Sequence, residues 1–147
     1  MGGPLVHLPD PTHGSVIEVL AAALAPRFRV LSIHPRADRP FQVQVDDLEG
    51  VLTQFGFEHI VLAAEGLSCT SALLLAAWYP RRVAAMALID PDLRPPTGDS
   101  LTARSLRECP PDWPRLRELA RCTIVELAGD SPSLVSEIER LLTSGLP

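Results

Sequence analysis

The sequence predicts an α/β protein: an open parallel sheet of about five strands with helices on both faces, in three layers. Three observations predict it. Short apolar runs alternate along the chain with segments of helical periodicity. The apolar runs are continuous rather than alternating, the pattern of strands covered on both sides by helices. Apolar residues make up 46% of the chain and charged residues 21%, an ordinary balance for a globular domain, and 147 residues suit one domain spanning 1–147.

The elements follow in order. Leu5 to Leu8 is a buried strand closed by Pro9. Ser15 and Glu18 have the spacing of a capping box, so a helix is expected over 16–25. Phe28 to Ile33 is the second strand. Asp46 and Asp47 open a helix whose apolar face is Leu48, Val51, Leu52 and Phe55, with Gly56 as its C-terminal cap. His59 to Ala64 is the third strand. Ser68 to Trp78 is a strongly apolar helix stopped by Pro80, and Val83 to Ile89 is the fourth strand. The stretch from Pro91 to Pro114 is rich in proline and reads as a long loop. A helix over 114–120, a strand from Cys122 to Leu127 and an amphipathic helix over 132–142 complete the chain.

Composition narrows the function. The net charge is -5 and the densest basic stretch, Arg115, Arg117 and Arg121, reads as a solvated helix face, so no nucleic-acid partner is expected. No apolar run approaches the roughly 20 residues of a membrane span, and no signal peptide is read at Met1 to Pro9, so no membrane partner and a cytoplasmic location are expected. The three cysteines, Cys69, Cys109 and Cys122, lack metal-ligand spacing and read as reduced thiols. No metal or other cofactor is expected; Pro9-Asp10-Pro11 after the first strand argues against a dinucleotide loop.

From Pro4 to Pro91 the ordered pieces resemble the α/β-hydrolase family. They are a first strand ending in a loop, a second strand ending in His34-Pro-Arg-Ala-Asp38, an Asp-Asp helix leading to Phe55-Gly-Phe57, a strand Ile60 to Ala63 running into a sharp turn, a helix ending in Tyr79-Pro80, and Leu88-Ile-Asp-Pro91. The segment from Trp113 to Leu142 resembles the family's next strand-helix unit. The resemblance implies the strand order 2-1-3-4-5, a crevice between strands one and three at their carboxyl ends, and a Pro-rich loop over 92–112 in place of the family's helical cap.

It also implies a nucleophile elbow of the form small-x-nucleophile-x-small. Two registers fit. Gly66-Leu67-Ser68-Cys69-Thr70 makes Ser68 the nucleophile. Counting back from Tyr79-Pro80 without a gap makes Ala64-Glu65-Gly66-Leu67-Ser68 the elbow and puts Gly66 where the nucleophile belongs. The second keeps the usual helix length; the first removes roughly half a turn, at about 3.6 residues per turn. The rest of the triad is incomplete. Asp130, an acid candidate, comes early, and no histidine follows it. Of His7, His13, His34 and His59, only His13 and His34 fall in loops at the carboxyl edge.

Three functions stay open. The first is a non-hydrolytic or catalytically degenerate member of the family that binds a small apolar or carbonyl-containing ligand at the elbow crevice. Its ligand-binding candidates are Asp10, Pro11, His13, Glu65, Gly66, Leu67 and Asp92. Amides at the start of the helix after Gly66 favour an anion or carbonyl oxygen there. The second is a small serine esterase or thioesterase with Ser68 as nucleophile, His34 or His13 as base, and Asp130 or Asp92 as the orienting acid. The third is an interaction module forming a homodimer through exposed sheet edges, strand two and the last strand.

Overall fold

The computed structural model describes residues 4–11, 15–36 and 38–144. Among them five strands, β1 (Pro4–Leu8), β2 (Arg29–Ser32), β3 (Ile60–Glu65), β4 (Val83–Ile89) and β5 (Thr123–Leu127), form one sheet in the order β2-β1-β3-β4-β5. Every pairing is parallel. Six helices cover it: α1 (Ile17–Leu24), α2 (Phe41–Gln54), α3 (Ser68–Trp78), α4 (Leu101–Glu108), α5 (Trp113–Ala120) and α6 (Leu134–Ser144).

The alternation of side chains along each strand divides the core in two. Val6, Leu8, Ile60, Leu62, Met86 and Leu88 face α2, α3 and α5. Leu5, Val61, Ala63, Ala85, Ala87 and Ile89 face Leu20 and Leu24 of α1 and Ile138, Leu141 and Leu142 of α6. Helix α3 is buried on nearly its whole circumference, from Ser68 to Ala76, which explains an apolar run without an amphipathic stripe. At the outer rims β2 and β5 are both sheet edges. No helix among the described residues is long and apolar enough to cross a membrane.

Three elements differ from the sequence expectation. Helix α2 begins at Phe41, not at Asp46; Phe41, Gln44, Val45, Leu48 and Leu52 make its buried stripe, and Phe55 is exposed. Two glutamines in its first turn disguise that stripe. Gly56 does close the helix with φ of 72°, and the Phe57 amide returns to the Leu52 carbonyl at 2.9 Å. The capping box before α1 does not form: Ser15 Oγ accepts from the Ile17 amide at 3.1 Å but spends its own proton on Glu65. The Pro-rich stretch over 92–112 is not wholly a loop. It contains α4, capped by Ser100 Oγ accepting from the Ala103 amide at 3.0 Å and anchored by buried Ala103 and Leu106.

Candidate functional site

The carboxyl ends of β1, β3 and β4 open onto a crevice of about 540 Å³. Gly66 forms the tip of the turn from β3 into α3. Its φ is 56°, a left-handed geometry that glycine adopts without steric cost. The Gly66 amide donates to the Ile89 carbonyl at 2.9 Å, and its carbonyl accepts from the Cys69 and Asp92 amides at 3.2 and 3.1 Å. The tip is thereby tied to β4 and to the loop after it.

What stands over the tip comes from the other side of the crevice. A Cβ on Gly66 would lie 1.8 Å from Asp10 Oδ2 and 2.6 Å from Asp10 Cγ. The carboxylate at the end of the β1 loop therefore occupies the room into which a side chain at the tip would project.

Beneath the tip lies a buried polar network. His7 on β1 pairs in register with Ala63 of β3 and Ser32 of β2, and Glu65 is two residues further along the same face of β3. His7 Nε2 donates to Glu65 Oε2, and its Nδ1 lies 3.5 Å from Ser32 Oγ. Glu65 also accepts from Ser15 Oγ at 2.7 Å and from the Val16 amide at 3.1 Å. Burial pushes the Glu65 carboxyl up, but the hydrogen bonds from His7, Ser15 and Val16 outweigh it and hold it below the usual carboxylate range. The network fixes where α1 starts relative to the elbow.

The other acids are committed to the backbone. Asp90, at φ of 46°, accepts from the Gly129 amide at 3.1 Å, and its own amide donates to the Leu127 carbonyl at 2.9 Å, joining the ends of β4 and β5. Asp92 accepts from the Arg94 amide at 3.2 Å and pairs with its guanidinium at 3.0 Å. Among the described residues no group of acids, histidines and cysteines has a geometry that could hold a metal ion.

Of the sequence candidates, Asp10, Glu65, Gly66 and Asp92 share this crevice. Pro11, Leu67 and Ser68 instead line a second cavity of about 260 Å³ on the α2, α3 and α4 side. Ser68 is buried, and its hydroxyl donates to the Pro9 carbonyl at 2.6 Å. His34 and Asp130 are exposed and line neither cavity. His13 lies outside the described residues. Cys69 is fully buried, and desolvation pushes its thiol up to about 12, the behaviour of a small core residue rather than a nucleophile.

Sequence reasoning passed over His7 and Gln44, two of the buried polar residues. His7 interrupts an apolar strand on the face it shares with Leu5, and Gln44 sits on the stripe between Phe41 and Leu48. In each case the available signal was a polar residue at a position where the period demands an apolar one.

Sheet order, the turn after β3 and the crevice at the carboxyl ends of the strands define an α/β-hydrolase fold. Solved structures agree. A carboxylesterase of the ammonia-oxidizing thaumarchaeon Nitrososphaera gargenis superposes with a TM-score of 0.68 at 14% identity, over 99% of this chain and 79% of that one. A bacterial membrane phospholipase A described as a virulence factor gives 0.70 at 14% identity, over 96% and 68%. A haloalkane dehalogenase from Bradyrhizobium elkanii gives 0.53 at 19% identity, over 60% of this chain and only 33% of the dehalogenase. At such identities the likeness is one of fold. No protein-family model and no curated protein sequence matches the chain.

Proposed function

We propose that this chain is a catalytically degenerate α/β-hydrolase-fold protein that binds a small, uncharged ligand beside its elbow and does not form an acyl-enzyme. One observation carries the reading: the tip of the turn is Gly66, and the space of a tip side chain is filled by the Asp10 carboxylate. A serine nucleophile requires its proton to pass to a base held by a third group. Ser68, the other candidate, gives its proton to the Pro9 carbonyl, a group that cannot take it away. The hydroxyl reads as a brace that holds the β1 loop against α3. The reading is tested by intact-mass measurement after exposure to a fluorophosphonate. The expected result is an unmodified chain; stoichiometric labelling overturns it.

A further inference from the structure

The two sheet edges are not alike. The Leu127 carbonyl of β5 faces β4, where it accepts from the Asp90 amide at 2.9 Å. Backbone groups alternate sides along a strand, so Thr123, Val125 and Leu127 face β4 while Ile124 and Glu126 turn their amides and carbonyls outward. Among the described residues no hydrogen bond reaches those outward groups. Ile124, Val125 and Leu127 are only half-buried, whereas β3 is buried from end to end. An exposed edge is normally guarded by a proline, a bulge or a charge. Thr123–Leu127 has no proline, and its pairing with β4 runs without a shift. Its one charged residue, Glu126, is neutralised by Arg117 at 2.8 Å.

Antiparallel pairing with a second copy is the symmetric way to satisfy such an edge. The two-fold axis must stand perpendicular to the sheet, since only then does each face of one copy continue into the same face of the other. Centred on Val125, this pairing sets Ile124 opposite Glu126 of the second copy, so the outward residues meet as hydrogen-bonded pairs. Val125 then meets Val125, and Thr123 meets Leu127, at the closer non-hydrogen-bonded spacing. Moving the axis to Glu126 would set two carboxylates against each other.

Charge favours the same register. Arg121 lies four residues before Val125 and Asp130 five residues after it. Both are exposed, and neither is in an ion pair among the described residues. Antiparallel pairing brings Arg121 of each copy beside Asp130 of the other. At β2 the equivalent centre is Leu31, and the residues at the same spacing are Arg27 and Arg36, each already held by an acid of its own chain, Glu139 and Asp38. There the same operation brings arginine beside arginine.

We propose that the chain associates as a two-fold dimer in which β5 pairs antiparallel with β5 of a second copy about Val125, joining the two five-stranded sheets. The proposal concerns the sheet edge and is independent of what the elbow binds. One pair of short strands is a small interface, so the dimer exchanges with monomer and is not permanent.

Sedimentation equilibrium of the full chain tests it. The expected result is a mass rising from 15.9 kDa toward twice that value as the concentration passes through roughly 10–100 μM. The Ile124 and Glu126 amides should become protected from hydrogen exchange as the mass rises. Glu126→Pro deletes an outward amide and leaves the bonds to β4 in place, so this variant should stay monomeric. Asp130→Arg should weaken association about fivefold, and adding Arg121→Asp should restore it, even if the proline variant fails to fold. A monomer at every concentration up to about 1 mM overturns the proposal. So does a dimer whose Ile124 and Glu126 amides exchange as fast as the monomer's, or one indifferent to Asp130→Arg, for it is held by another surface.

Discussion

Gly66→Ser returns a hydroxyl to the tip of the turn, and its cost can be worked from two independent terms. The backbone at Gly66 has φ of 56°, and placing a Cβ in that region costs about 1–2 kcal/mol. The new Cβ would also lie 1.8 Å from Asp10 Oδ2 and 2.6 Å from Asp10 Cγ, far inside any contact distance. The carboxylate must turn out or the β1 loop must move, and overpacking of that kind costs about 1–3 kcal/mol. Asp10 cannot drift freely, because its neighbour Pro9 is held through its carbonyl by Ser68 at 2.6 Å. Together the terms give a loss of about 2–5 kcal/mol, a fall in Tm of about 5–15 °C for a chain of this length. Asp10→Ala removes only the second term. The double variant should therefore be more stable than the sum of the single losses predicts, by about 1–3 kcal/mol in a thermal or urea cycle. The same variants should not hydrolyse a p-nitrophenyl ester, for no histidine lines the crevice among the described residues. Strict additivity in the cycle would refute the claim that Asp10 holds the place of the tip side chain, and rapid turnover of the ester by Gly66→Ser would refute the degenerate elbow.

Other substitutions test the supports of the site. Ser68→Ala removes the brace on Pro9 and should cost about 1–3 kcal/mol in urea unfolding, the price of leaving a buried carbonyl without its donor. Glu65 is held below the usual carboxylate range in the folded chain, so its contribution is present above the unfolded value of about 4.5 and is lost as pH falls through the folded one. Glu65→Gln should cost about 2 kcal/mol at pH 7 and should flatten the loss of stability on acidification below about pH 4.5; a variant whose acid limb runs parallel to the wild type would disprove that role. Leu106→Ala should lose about 2–5 kcal/mol and loosen α4, exposing Arg104 and Arg107 to trypsin; unchanged digestion would mean that α4 is held by something other than Leu106.

What the sequence determined by itself is what depends on local pattern. Helix α3, Ser68–Trp78, and strand β4, Val83–Ile89, match the expected spans, because β4 is a continuous apolar run and α3 a largely apolar one, each with a proline or turn at its limit. The strand order β2-β1-β3-β4-β5 was legible through the resemblance, whereas the sequence left two registers for the turn after β3, one centred on Ser68 and one on Gly66. Where the local pattern is ambiguous the sequence falls short. Gln42 and Gln44 hide the first turn of α2, and prolines on either side hide α4, whose stability comes from burying Ala103 and Leu106 and not from its composition. The site itself was decided by tertiary structure. Nothing local to Asp10 says that its carboxylate meets Gly66, nor anything local to His7 that it meets Glu65. Both contacts exist because β1 lies beside β3 in a particular register, and a shift of one residue would turn His7 and Glu65 to opposite faces of the sheet.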